Sequence, residues 1–97
     1  MRTVLAMDVG NTRVKVALFV SGHIEARLQV PTSQVRDETF LTSQLRSSFG
    51  QWATVDACLI ASVVKGLHEP LIASIQAMWS VSPVVIHSKN DLGIGID

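Results

Sequence analysis

Three features of the sequence predict a single α/β domain over residues 1–97, with a mixed sheet in the element order β-β-β-α-β-α-β. The first thirty residues form three strand-like segments separated only by short turns, which indicates an antiparallel meander. Two later segments place apolar residues at helical spacing. Between them lies the continuous apolar run of residues 57–64, which is typical of a strand buried on both faces.

The predicted meander comprises strands over residues 3–9, 13–20 and 23–30. Gly10-Asn11-Thr12 and Ser21-Gly22 supply the turns between them. In the third strand, alternation with polar residues predicts one buried face, formed by Ile24, Ala26, Leu28 and Val30. Pro31 ends that strand, and residues 32–36 are predicted to form a loop.

The first helix is predicted over residues 38–49. Asp37 is a suitable N-cap, Glu38 carries a favourable charge in the first turn, and Gly50 is a suitable C′ stop. Because a helical crossover joins strands that run in the same direction, the strand at residues 57–64 should be parallel to the one before it.

The second helix is predicted to begin near Pro70, whose fixed φ suits the first helical position, and to end before Ser80. Its apolar stripe comprises Leu71, Ile72, Ile75, Met78 and Trp79. Residues 83–87 are predicted to form a short strand. Residues 90–97 alternate again in an extended pattern, from which we expect the chain to be the first half of a larger protein.

Composition restricts the function classes. The chain is 97 residues long, 47% hydrophobic and 16% charged, and its eight basic residues balance eight acidic ones without clustering. We therefore expect no nucleic-acid partner and no membrane-surface partner. Cys58 is predicted to be a small core residue in a reducing compartment. The start of the chain lacks a signal-peptide pattern and the longest apolar stretch is too short to span a bilayer, so the predicted location is cytoplasmic.

Asp8 poses a solvation problem, because the sequence around it is almost wholly apolar and a buried carboxylate needs a cation or hydrogen-bond donors. In strand register it shares a face with Val4 and Ala6 and lies at the strand's end, beside the turn. The amides of Gly10 to Thr12, with the Asn11 and Thr12 side chains, are donors that suit a phosphate group. A neighbouring carboxylate suits Mg²⁺. The alternative is a plain hairpin turn whose amides bind Asp8.

The segment "MDVGNTRVKVALF" resembles the first phosphate motif of the actin-like ATPase superfamily, specifically of the type III pantothenate kinases. "CLIASVVKGL" and "VVIHSKNDLGIGID" resemble later segments of that family in the same order. The pattern of Arg13 followed by Lys15 resembles that of the family's Bvg accessory factor-like branch. The resemblance implies the N-terminal lobe of a ribonuclease H-like/actin-like ATPase fold. P-loop and Rossmann sites are excluded, since both need a helix directly after the glycines.

The resemblance implies that Asp8, Gly10, Asn11 and Thr12 bind the ATP phosphates and that Asp8 contacts Mg²⁺, with a monovalent cation as a further candidate cofactor. Lys15 lies where its cation could approach the phosphates, and a surface lysine is its alternative. Ser62 could contact ligand through its hydroxyl group, and a serine satisfied by the backbone is the alternative.

The reaction implied by the resemblance is ATP-dependent phosphorylation of pantothenate in coenzyme A synthesis, by a homodimer. The family's catalytic aspartate, in a Gly-Ala-Asp-Arg motif, and its second phosphate motif are not in this sequence. We therefore expect no catalytic residue among these 97 residues and no kinase activity from them alone. Two other hypotheses are a non-catalytic regulatory or transcription-accessory protein, and a nucleotide-binding module activated by a separate chain.

Overall fold

The computed structural model describes residues 2–64 and 66–86, which form one five-stranded sheet with helices on one face. The elements in chain order are β1 (Thr3–Val9), β2 (Arg13–Val20), β3 (His23–Pro31), a short 3-10 helix (Thr32–Gln34), α1 (Glu38–Phe49), β4 (Ala57–Ser62), α2 (His68–Trp79) and β5 (Val84–Ile86). The α/β class and the predicted element order are confirmed. The predictions for His87 and for residues 90–97 lie outside the described residues.

The strand order across the sheet is β3-β2-β1-β4-β5. The first three strands pair antiparallel, as predicted, whereas β4 pairs parallel with β1 and β5 pairs parallel with β4. Strands β3 and β4 run in the same direction, as the crossover required, but β1 and β2 lie between them. This order places β1 at the centre of the sheet, and the carboxyl end of β1 lies beside that of β4.

Both helices pack against the same face of the sheet. Alternate residues of β1 point into this core, where α1 contributes Leu41, Leu45 and Phe49 and α2 contributes Leu71 and Ile75. The predicted register of β1 is confirmed, because Leu5, Met7 and Val9 lie on this face. The opposite face carries a smaller cluster in which Ala6 and Ala17 are fully buried. Asp8 shares the face of Ala6.

The prediction that Ile24 shares one face with Ala26, Leu28 and Val30 is wrong. A bulge interrupts the β2–β3 pairing: Leu18 pairs with Ala26, but the next residue of β2, Phe19, pairs with Ile24. The extra residue in β3 moves the side chains before it to the other face. Ile24 therefore packs with Phe19 in the smaller cluster, on the side of the sheet that carries Asp8.

Helix α1 has the predicted bounds. Asp37 Oδ1 accepts a hydrogen bond from the Phe40 N–H at 3.1 Å, which confirms the N-cap. Gly50 ends the helix with a right-handed φ of −63°, so a left-handed turn is not the reason for a glycine there. A Cβ at this position would collide with the Arg46 carbonyl oxygen. Glycine is needed here because the backbone passes too close to itself.

Several other boundaries differ from the predictions, among them the start of β5, which is at Val84 and not at residue 83. Helix α2 begins at His68, so Pro70 is its third residue, where a missing N–H still costs nothing because first-turn amides have no intrahelical partner. Strand β4 ends at Ser62, and Val63 is 53% exposed. The predicted loop after Pro31 includes the 3-10 helix. Neither helix of the described chain is long and apolar enough to cross a membrane.

Candidate functional site

Asp8 lies one residue before the end of the central strand, on the sheet face opposite α1 and α2. It is 9% exposed, and the sheet register places Lys15 of β2 directly across from it on one side and Ala61 of β4 on the other. A cation opposite a carboxylate on an antiparallel pair is favourable. The chain itself thus supplies a charged neighbour for the buried carboxylate.

The Asp8 side chain lies in a largely desolvated position. The Oδ1 atom is buried and accepts no hydrogen bond within the described part of the chain, although Asp8 and Lys15 both take part in other interactions. Asp8 therefore places a buried carboxylate oxygen close to the turn that follows β1.

The turn after β1 is closed by a backbone hydrogen bond from the Gly10 N–H to the Arg13 carbonyl at 3.0 Å. This bond belongs to the hairpin alternative, and it occupies the Gly10 amide that we expected to donate to a phosphate. A Cβ on Gly10 would lie 3.2 Å from the same carbonyl, which is a tight contact. Asn11 and Thr12 are exposed and carry the remaining donors.

Sequence reasoning missed Thr32, which is 7% exposed and contacts the turn that follows β1. Its Oγ1 donates to the Gly10 carbonyl at 2.8 Å, and its N–H donates to the Thr12 carbonyl at 2.8 Å. The hairpin register pairs Arg13 with Pro31, so the residue after Pro31 must lie beside the turn. The bulge in β3 shifts that register by one residue, so counting from the Ser21-Gly22 turn along the sequence would not have identified this threonine.

Ser62 follows the backbone-satisfied alternative. Its hydroxyl group donates to the Val64 carbonyl at 2.9 Å and accepts from the Val64 N–H at 3.1 Å. The Val63 N–H also donates to the Val9 carbonyl at 3.1 Å, which ties the end of β4 to the end of β1. Ser62 thus shapes the loop beside Asp8, and its hydroxyl group is already occupied.

The residues around this turn fit a magnesium–phosphate group by their chemistry. Among the described residues, no three acidic, histidine or cysteine side chains come together as a metal cluster, so Asp8 would act without such a cluster around it. Mg²⁺ keeps several waters and binds through one or two carboxylates together with substrate phosphates. A cavity of about 370 Å³ lined by Thr12, Arg13, Gln29, Val30 and Pro31 adjoins the turn.

The strand order and the position of the helices define the class of fold, which is that of an actin-like ATPase lobe. The solved structure of a ROK family glucokinase from Streptomyces griseus, in complex with glucose and AMPPNP, superposes on this chain with a TM-score of 0.61 at 16% sequence identity. The match covers 86% of this chain and 32% of the glucokinase chain.

The chain belongs to the type III pantothenate kinase family, whose model matches residues 4–97. Type III pantothenate kinases of Ehrlichia canis and Francisella tularensis are 24% and 28% identical to it over 89% and 84% of its length. An N-acetylmannosamine kinase of Vibrio vulnificus is 37% identical over 61% of the chain. The chain spans only 34% of the length of those pantothenate kinases and 20% of that N-acetylmannosamine kinase.

Proposed function

We propose that this chain is the ATP-phosphate-binding lobe of a pantothenate kinase, which phosphorylates pantothenate to 4′-phosphopantothenate in coenzyme A synthesis. The observation that carries the proposal is the buried carboxylate of Asp8 at the end of the central strand, beside an exposed Asn-Thr turn. Family membership over residues 4–97 supports the choice of reaction. The proposal includes a homodimer, as the family resemblance implies, and a cytoplasmic location, as we expect from the sequence.

In this proposal Asp8 would hold Mg²⁺, which would supply positive charge to neutralise the phosphates. Asn11 and Thr12 donate hydrogen bonds to phosphate oxygens. Gly10 keeps the backbone of the turn close to the ligand. Lys15, opposite Asp8 in the sheet, adds a positive charge near the phosphates. Such fixed charges and donors stabilise the transferred phosphoryl group without moving during the reaction.

The proton acceptor for the pantothenate hydroxyl group is proposed to come from outside residues 1–97, in a Gly-Ala-Asp-Arg motif. Binding and proton transfer would then be divided between two parts of the protein. Asp8 is assigned to binding because its position beside a turn and opposite Lys15 suits charge neutralisation. A general base must instead lie within hydrogen-bond reach of the attacking hydroxyl group.

The test is Asp8→Asn in the protein as its gene encodes it, with Mg-ATP binding measured by calorimetry and pantothenate phosphorylation measured by product formation. We expect the Kd for Mg-ATP to rise by about tenfold or more, since loss of a charged ligand removes on the order of 1.5–3 kcal/mol. The matched control is Glu25→Gln, which removes one negative charge from an exposed position of β3. It should leave the affinity unchanged.

An Asp8→Asn protein that is folded and still turns over pantothenate at the normal rate would show that Asp8 does not bind Mg-ATP. N-acetylmannosamine is the second substrate to assay. It is suggested by the N-acetylmannosamine kinase that is 37% identical to this chain over 61% of its length. Mg-ATP binding without phosphorylation of either substrate would support the non-catalytic regulatory alternative.

A further inference from the structure

We propose that Thr32 is a positioning residue for the Gly10-Asn11-Thr12 turn, a role that rests on the function proposed above. Thr32 is the first residue of the 3-10 helix and lies 22 residues along the chain from Gly10. It donates two hydrogen bonds to the turn, one from its side chain and one from its backbone, each 2.8 Å long. The two acceptors are the carbonyls of Gly10 and Thr12, which flank Asn11.

These two bonds orient the turn as well as hold it. In a trans peptide the C=O and the following N–H point in opposite directions. Because the Gly10 carbonyl points toward the Thr32 hydroxyl group, the N–H of Asn11 points away from Thr32. The side-chain bond of Thr32 thus fixes the direction of an amide that the phosphate site needs as a donor.

The turn needs such a support because its own sequence constrains it weakly. Glycine is conformationally permissive, and residues Asn11 and Thr12 are exposed and pack against little. Within the described backbone, the hairpin bond from Gly10 to Arg13 closes the turn but leaves the peptide between Gly10 and Asn11 to be fixed by another contact. Donors that are fixed before the ligand arrives bind and stabilise charge at a lower cost than mobile donors.

The burial of Thr32 makes its hydroxyl group difficult to replace by water. The residue is 7% exposed, so a Thr32→Val variant, which keeps the shape, would leave the Gly10 carbonyl without its donor. The backbone bond from Thr32 to Thr12 would survive in this variant. The change therefore releases one side of the turn and leaves the other side attached.

The experiment compares Thr32→Val, Thr32→Ser and the matched control Thr39→Val in the protein as encoded. Thr39 is an exposed residue of α1 and does not line the cavity beside the turn. We expect Thr32→Val to raise the Kd for Mg-ATP by about three- to tenfold, the effect of one lost hydrogen bond. Thr32→Ser retains the hydroxyl group and should bind within about twofold of wild type, as should Thr39→Val. Denaturant unfolding checks that each variant is folded.

The outcomes separate this inference from the proposed function. If Asp8→Asn weakens Mg-ATP binding while folded Thr32→Val binds normally, Thr32 has no positioning role and the proposed function stands. If neither variant changes the affinity, the proposed function itself fails. If Thr32→Val does not fold, Thr32→Ala takes its place, because it also lacks the hydroxyl group: normal affinity in folded Thr32→Ala would overturn the positioning role, and weakened affinity that Thr32→Ser restores would support it.

Discussion

Lys15 bears on both the burial of Asp8 and the proposed binding of ATP. It lies directly across the strand pair from Asp8, so part of the cost of burying a carboxylate is offset inside the protein. The same lysine lies where an ATP phosphate would come in the proposed function. In the proposed function, replacing Lys15 would therefore affect both the folded state of the free protein and the binding of ATP, whereas the exposed side chains of Asn11 and Thr12 would act on the ligand alone.

Cys58 is the buried thiol of β4, and burial raises its pKa from 9.0 to about 12. The sequence predicted Cys58 to be a small core residue, and its burial agrees with that prediction. In the folded protein the thiol stays protonated over a pH range where the unfolded chain loses the proton. The neutral thiol therefore contributes stability that is fully present below pH 9 and is lost as pH rises toward 12.

We predict that wild type loses stability relative to Cys58→Ala above pH 9, by about 1.4 kcal/mol for each pH unit. The comparison of the two proteins removes the titration of lysines, which they share. The measurement is the free energy of unfolding in urea at several pH values between 7 and 11. A difference between the two proteins that stays constant over this range would contradict the raised pKa.

At the scale of elements, the two helix ends show that the left-handed position that ends a helix need not be a glycine. Gly50 ends α1 in a right-handed conformation, while Ser80 ends α2 with φ of 55° and ψ of 33°. The Ser80 N–H donates to the Gln76 carbonyl at 3.0 Å, so the left-handed turn does close the helix. A serine in this region carries a steric cost on its Cβ that a glycine does not.

We predict that Ser80→Gly stabilises the protein by about 0.5–1 kcal/mol, because glycine adopts the left-handed conformation without strain. The matched control is Ser82→Gly in the following exposed segment, which is not among the positive-φ residues of the described chain. There glycine only adds freedom to the unfolded state and should lower stability. Urea denaturation measures both, and a loss of stability in Ser80→Gly would contradict the assigned conformation.

At the scale of the whole molecule, a pair of hydrogen bonds joins the start of β1 to the start of β4. The Thr3 N–H donates to Asp56 Oδ2 at 2.7 Å, and the Asp56 N–H donates to the Thr3 carbonyl at 2.8 Å. The two residues are 53 apart in sequence. Together with the Val63 to Val9 bond at the other end, they fix the parallel register on which the position of Asp8 depends.

We predict that Asp56→Ala lowers the free energy of unfolding by about 1 kcal/mol, the usual net value of one hydrogen bond. Asp56→Asn keeps an acceptor oxygen and should retain most of the stability, so it serves as the matched control. Urea denaturation of both variants measures the difference. Equal stability of wild type and Asp56→Ala would mean that the side-chain bond does not hold the register.

Much of the fold followed from sequence patterns because those patterns are local. The alternation in the first three strands, the Asp37 cap and the spacing in α1 all act over a few residues and gave nearly correct boundaries. The bulge beside Phe19 could not be predicted, because it depends on how two strands pair and not on either strand alone. The start of α2 was predicted near Pro70 and lies at His68, because proline is tolerated throughout a first helical turn.

The candidate site shows the same division. The sequence alone determined the strand-turn-strand setting of Asp8, since alternation, glycine and turn residues are local properties of the chain. Only the tertiary structure decided that Lys15 lies across from Asp8, that Gly10 uses its amide within the hairpin and that Thr32 supports the turn. Those contacts join residues that are far apart in the sequence or set by strand register, and composition and spacing carry no information on hydrogen bonds of that kind.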